Sequence, residues 1–93
     1  IIMARVLVVL KILPTDVDVD LDDLKKRIAE NLPVDYELKG YDIEPIAFGL
    51  KALRLYIFMP ENIEGGTEPL ENLIQNIDGV GQVEVEFVHR VSE

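Results

Sequence analysis

The sequence predicts an α+β fold of the ferredoxin-like βαββαβ type, a four-stranded antiparallel sheet with two helices on one face. Four segments have the β-branched or alternating apolar residues of strands. Two others repeat apolar residues every three or four positions, as helices do. Their order is strand, helix, strand, strand, helix, strand, and right-handed crossovers then place strands one and three at the centre of the sheet.

The first strand and the first helix follow from apolar spacing. Residues 4–13 are almost continuously apolar, which predicts a central strand that ends at Pro14. Residues 21–32 carry an apolar helical stripe, and Asp20 is the expected N-cap. The side chains expected in the core are those of Val6, Val8, Leu10, Ile12, Leu21, Leu24, Ile28 and Leu32.

The middle of the chain supplies two strands. Residues 36–43 have mixed faces and an internal Gly40, which indicates an edge strand. Residues 50–59 predict the second central strand, which ends at Pro60. We expect its buried face to carry Leu53, Leu55, Ile57 and Met59, and its open face to carry Ala52, Arg54, Tyr56 and Phe58.

The last helix and strand complete the pattern. A helix is expected from Thr67 or Glu68 to Ile77, with Pro69 in its first turn and Gly79 as its stop. Residues 82–91 alternate as a strand does. The alternation groups Val83, Val85, Phe87, His89 and Val91 on one face and Glu84, Glu86, Val88 and Arg90 on the other.

Composition limits the classes of function. The chain has 93 residues, enough for one domain over residues 1–93, and we expect Met3 to be the natural start, with Ile1 and Ile2 as extra residues. A net charge of −9 argues against nucleic acid or an anionic membrane as partner and favours a basic protein surface. The absence of cysteine is compatible with a cytoplasmic location, and the longest apolar run is too short to span a bilayer.

Two features that suggest metal binding or catalysis have simpler interpretations. The acidic run at residues 16–23 lacks the glycine of an EF-hand loop, because Leu21 stands there, and Arg27 occupies the twelfth position. We expect solvated acids that lead into a capped helix, or a patch that faces a partner, but no metal site. His89 is the only histidine, so it predicts neither a zinc pair nor a catalytic triad.

Other proteins of this fold are also disfavoured. The loop after strand one carries Asp16 and lacks the arginine of acylphosphatase-like enzymes, so we expect no catalytic residues and no enzyme. Tyr56 and Phe58 lie on the predicted open face, but the RNP motif of RNA-recognition domains is absent. A small-molecule-binding regulatory domain or a plain protein-interaction domain of the same fold remains as the alternative.

The junction EPIAFGLKALRL at residues 44–55 carries the most specific signal. A turn between two strands is ordinarily polar, yet this one contains Ile46 and Phe48 before Gly49. Together with VDLxxLKK at residues 19–26, GGTE at 65–68 and GVxxVEV at 79–85, this segment resembles archaeal elongation factor 1-beta. It is also similar to the exchange domain of the eukaryotic counterpart.

The resemblance implies a guanine-nucleotide exchange factor without cofactor that binds GDP-loaded elongation factor 1-alpha, a GTPase of cytoplasmic translation. It implies that the Phe48 turn, with Ile46 and Gly49, meets the GTPase. It also aligns Arg90 with a lysine that reaches the magnesium site in eukaryotic relatives, and His89 lies beside it. Because arginine is a bulkier planar group, Arg90 either approaches the magnesium site or contacts phosphate-binding or switch loops. We expect the Phe48 hairpin to form a docking edge, with Arg90 as its companion in a second region.

Overall fold

The computed structural model describes residues 4–92, so the expectation about Ile1, Ile2 and Met3 lies outside the described residues. The elements are β1 (Ala4–Pro14), α1 (Leu21–Asn31), β2 (Glu37–Ala47), β3 (Leu50–Pro60), α2 (Glu68–Gln75) and β4 (Val80–Ser92). They form one antiparallel sheet in the order β2-β3-β1-β4. The ferredoxin-like α+β prediction is therefore confirmed, with β1 and β3 central and β2 and β4 at the edges.

Both helices pack on the same face of the sheet. Asp20 caps α1 as expected, because its carboxylate accepts hydrogen bonds from the backbone N–H groups of Asp22 and Asp23. Thr67 flanks α2 without such a bond. The core joins Val8, Leu10 and Ile12 of β1, Leu53, Leu55, Ile57 and Met59 of β3, and Leu21, Leu24, Ile28, Leu70 and Ile74 of the helices.

Strand β4 departs from simple alternation. Its register against β1 shifts between Val9 and Leu10, because Leu10 pairs with Val85 whereas Val9 pairs with Phe87. Glu86 is the extra residue of this β-bulge. A one-residue shift reverses the faces that follow, so Phe87 and His89 lie on the open face, opposite Val83 and Val85. The expectation that His89 shares a face with Val83 and Val85 is therefore wrong.

The molecule is elongated, with principal extents of 47 × 21 × 19 Å. We call one extremity the hairpin end; it contains the β2–β3 turn, residues 15–20 and residues 76–79. We call the other the C-terminal end; it contains residues 32–36, residues 61–67 and the last residues of β4. Within residues 4–92, no helix is long and apolar enough to cross a membrane.

Candidate functional site

The β2–β3 turn holds Phe48 in an unusual backbone conformation. Ala47 pairs with Leu50, which leaves Phe48 and Gly49 as a two-residue turn with φ of 53° and 81°. Two positive φ angles are the mark of a type I′ turn, whose first position ordinarily holds asparagine, aspartate or glycine. A bulky L residue in this left-handed region costs roughly 1–2 kcal/mol.

Within residues 4–92, burial of the ring does not compensate for that cost. The Phe48 side chain is 103% exposed, so its ring contributes no core packing. Residues held in strained backbone conformations cluster at active sites, ligand clamps and switch regions. The turn therefore presents a large apolar group to solvent at the extremity of the hairpin.

Ile46 and Gly49 contribute to the exposed Phe48 turn in different ways. The register of β2 against β3 shifts between Pro45 and Ala47, so Ile46 is left out of the ladder and is 44% exposed. It therefore extends the apolar surface and does not plug the core. A side chain at Gly49 would meet no atom within 4 Å, but its positive φ favours glycine.

Arg90 lies at the C-terminal end on the helix side of the sheet, because it pairs with the inward-facing Val6. Its Nε lies 2.9 Å from Oε1 of Glu61, and the two side chains form a salt bridge. The two side chains are 65% and 41% exposed, and such surface ion pairs are worth about 0–1 kcal/mol. Arg90 can therefore leave Glu61 at little cost when a stronger anionic partner is present.

His89 faces the opposite side from Arg90. Its ring stacks on that of Phe87, with centroids 5.7 Å apart and planes 19° apart, and both residues are exposed. Successive strand residues point to opposite faces, so His89 and Arg90 do not converge on one group. His89 thus belongs to the open sheet face, whereas Arg90 lies beside the loop that follows β3.

Phe48 and Arg90 lie at opposite ends of the molecule. Arg90 pairs with Val6, which pairs with Met59, nine residues beyond Leu50 at the turn. At about 3.3 Å per strand residue, the two sites are about 30 Å apart. The Phe48 turn and Arg90 are therefore two separate regions, because β3 and β4 run in the same direction and these residues occupy opposite strand ends.

Between the two ends, the open face carries a charged network that the sequence did not single out. Arg54 donates to Glu86 at 2.6 Å and to Glu44 at 3.0 Å, and Lys11 lies 3.6 Å from Glu44. The hydrogen bond from Arg54 lowers the pKa of Glu44, and the bonds to Glu86 and Glu44 raise the pKa of Arg54. The bulge that introduces Glu86 brings its carboxylate to this network, which only the cross-strand register reveals.

The described residues also limit the chemistry. Within residues 4–92, no group of three or more histidine, aspartate or glutamate side chains is arranged to hold a metal ion. Tyr56 donates to Asp42 at 2.6 Å, and this bond raises the pKa of the tyrosine. Tyr56 therefore acts as a neutral hydrogen-bond donor near neutral pH.

Comparison with known proteins agrees with this description. Residues 7–91 match the model of the EF-1 guanine nucleotide exchange domain. Elongation factor 1-beta of Staphylothermus marinus is 69% identical over 90 residues, which cover 97% of this chain and 100% of the relative. The protein of the same name from Desulfurococcus amylolyticus is 66% identical over the same shares, and that of Aeropyrum pernix is 55% identical over 96% and 99%.

A solved structure gives a much weaker match. The C-terminal domain of the MgtC protein from Mycobacterium tuberculosis has a TM-score of 0.49 and 14% identity, covering 98% of this chain and 88% of that one. This similarity is too weak to carry an argument. The sequence matches instead span nearly the whole chain at high identity, so the chain belongs to the elongation factor 1-beta family through its EF-1 guanine nucleotide exchange domain.

Proposed function

We propose that this chain is a single exchange-factor domain that promotes the release of GDP from elongation factor 1-alpha and its reloading with GTP. The observation that carries the proposal is the exposed Phe48 on a strained turn, in a chain whose residues 7–91 match an exchange domain. Exposed aromatic anchors are typical of the residues that dominate protein–protein affinity.

Two separate contacts would give the exchange factor its activity. The Phe48 turn, with Ile46 and Gly49, would anchor the hairpin end on the GTPase. Arg90 would act about 30 Å away, near the groups that hold nucleotide phosphates or magnesium. A GTPase would meet both only by lying along the 47 Å axis of the molecule. Affinity and exchange would then depend on different ends.

The proposed mechanism is non-covalent. The GTPase holds magnesium and phosphates in its own phosphate-binding loop, so this chain needs no cofactor and no catalytic residues. If its binding weakens GDP affinity, GDP must weaken its binding by the same factor. GTP then enters the emptied GTPase. We place this activity in the cytoplasm, where elongation factors act.

His89 has a smaller role in this proposal than Arg90. Its ring lies on the open sheet face against Phe87, away from the Arg90 side chain. It could contact the GTPase only if the open face is also covered. We therefore expect substitution of His89 to affect exchange less than substitution of Arg90.

The test is the release of labelled GDP from purified elongation factor 1-alpha, with and without this chain. Saturable acceleration supports the proposal. Binding of the GTPase without acceleration would indicate a plain protein-interaction domain. No binding, with a specific thermal shift caused by a small molecule, would indicate the alternative regulatory domain.

A further inference from the structure

A cavity at the hairpin end lies between the β2–β3 turn and the start of α1. Its volume is about 260 Å³, and Gly49, the neighbour of Phe48, is among its lining residues. Small-molecule sites have volumes of about 300–1,000 Å³. The cavity is thus of a size that suits one side chain better than a cofactor, and it is continuous with the turn that carries Phe48.

Aliphatic side chains contribute to its lining. Val17, Val19, Leu21 and Ile43 line the cavity. Val17 is 56% exposed and Ile43 is 42% exposed. The hairpin end therefore presents a concave surface with aliphatic side chains in its lining, next to the protruding Phe48 turn.

The charged residues that line the cavity have an excess of negative charge. They are Asp20 and Asp22, together with one cation, Lys51. Asp20 already accepts hydrogen bonds from the helix N-terminus, but the side chain of Asp22 is exposed and makes no ion pair within residues 4–92. The loop before α1 adds Asp16 and Asp18 without any basic residue. A lining that combines aliphatic side chains with carboxylates suits the aliphatic stem and cationic head of arginine or lysine.

We propose that this cavity receives an arginine or lysine side chain of the GTPase that the Phe48 turn contacts. The inference rests on the proposed function and adds a second anchor beside Phe48. The ring would lie on the partner while the partner's cation enters the cavity, so the two surfaces interlock. Because the contact lies far from Arg90, it contributes to affinity and not to the exchange step.

The test uses Asp22→Lys and Val17→Ser in the full chain. The lysine would repel an incoming cation, and the serine removes an aliphatic side chain from the lining of the cavity. We expect each to raise the dissociation constant for elongation factor 1-alpha about tenfold, or about 1.4 kcal/mol. The maximal rate of GDP release at saturation should stay unchanged. Asp22→Asn, which leaves the helix N-terminus without an added positive charge, should weaken binding less and reduce its salt dependence.

Matched controls keep the result specific. Glu30→Lys changes the same charge on an exposed α1 position about 12 Å further along the helix, and Val34→Ser truncates a valine that is 98% exposed. Both should bind as the unsubstituted chain does. If Asp22→Lys and Val17→Ser also bind within twofold of it, the cavity proposal is overturned.

Other outcomes separate this inference from the proposed function. If the unsubstituted chain does not accelerate GDP release, the proposed function is refuted, and the cavity inference that rests on it is refuted as well. If it accelerates release but sediments as a dimer that Val17→Ser dissociates, a second copy occupies the cavity, and the proposal for a GTPase side chain is overturned alone.

Discussion

Replacement of Phe48 by asparagine should raise the free energy of unfolding and weaken binding to elongation factor 1-alpha. The backbone at Phe48 has a φ of 53°, where an ordinary L residue costs roughly 1–2 kcal/mol. Asparagine tolerates this region better, and no packing is lost because the ring is 103% exposed. We expect a gain of about 1 kcal/mol in the free energy of unfolding. For a domain of this size, that gain corresponds to a rise of about 4–8 °C in Tm.

The same substitution should weaken binding to elongation factor 1-alpha. Full burial of a phenylalanine side chain is worth about 1.5–3 kcal/mol, and each 1.4 kcal/mol is tenfold in affinity. The dissociation constant should therefore rise by about 10- to 100-fold. Guanidinium unfolding and titration calorimetry with the purified GTPase measure the two effects on one variant.

Phe87→Ser is the matched control, because Phe87 is a half-exposed phenylalanine on the open sheet face. It should lose some stability and keep its affinity. A loss of stability in Phe48→Asn would refute the strain argument. Unchanged affinity would refute the role of Phe48 in docking, whatever the stability result.

Three further predictions concern other parts of the molecule. Arg90→Ala should lower the maximal exchange rate more than the affinity, while Arg90→Lys keeps the charge and most of the rate. Because Arg54 lowers the pKa of Glu44 below its ordinary 4.5, their contact stabilises the fold above that pH and is lost as pH falls through the lowered folded-state pKa. In the Glu44→Gln variant, the free energy of unfolding should therefore fall less steeply as the pH is lowered into the acidic range. Gly81→Ala should cost about 1–3 kcal/mol of unfolding free energy, because its Cβ would lie 2.9 Å from the carbonyl oxygen of Pro14.

Each of these predictions has a control variant or an outcome that would contradict it. Equal effects of Arg90→Ala on rate and affinity would contradict a separate exchange role. Glu30 is exposed on α1 and has no ion pair in residues 4–92. Glu30→Gln should therefore leave the acidic-pH dependence of the free energy of unfolding unchanged. Gly40→Ala should cost far less than Gly81→Ala, since a Cβ at Gly40 meets no atom within 4 Å. A similar cost at both glycines would show that the close approach to Pro14 is not the cause.

The regular parts of the fold were predictable because each element repeats one physical pattern. The alternation in β3 assigns Leu55 and Ile57 to the core and Arg54 to the open face, as the structure shows. Asp20 is the N-cap because its position before an apolar stripe leaves backbone donors to satisfy. Local sequence decides these features, so they need no knowledge of the partner strands.

The face assignment at the end of β4 could not be obtained in the same way. Apolar residues continue at every second position through Phe87 and resume at Val91 after His89, so the strand alone gives no sign of a bulge at Glu86. Only the pairing with β1 fixes which residue is extra. The positive φ of Phe48 is likewise set by the two-residue connection, although the Phe-Gly pair in place of Asn-Gly is a usable signal.

The separation of Phe48 and Arg90 could be predicted in part from the sequence. Since β1 is antiparallel to both β3 and β4, the predicted topology already requires the start of β3 and the end of β4 to lie at opposite ends. Strand lengths then give the spacing of about 30 Å. The candidate site is accordingly two sites, and the cavity beside Phe48 depends on loop positions that no local pattern specifies.

The proposed exchange activity is tested most directly by the rate of labelled GDP release from purified elongation factor 1-alpha at increasing concentrations of this chain. We expect a rate that rises and saturates, with Phe48→Asn shifting the curve to higher concentration and Arg90→Ala lowering its plateau. A rate that stays at its spontaneous value at saturating concentrations of a chain that binds the GTPase would refute the exchange activity.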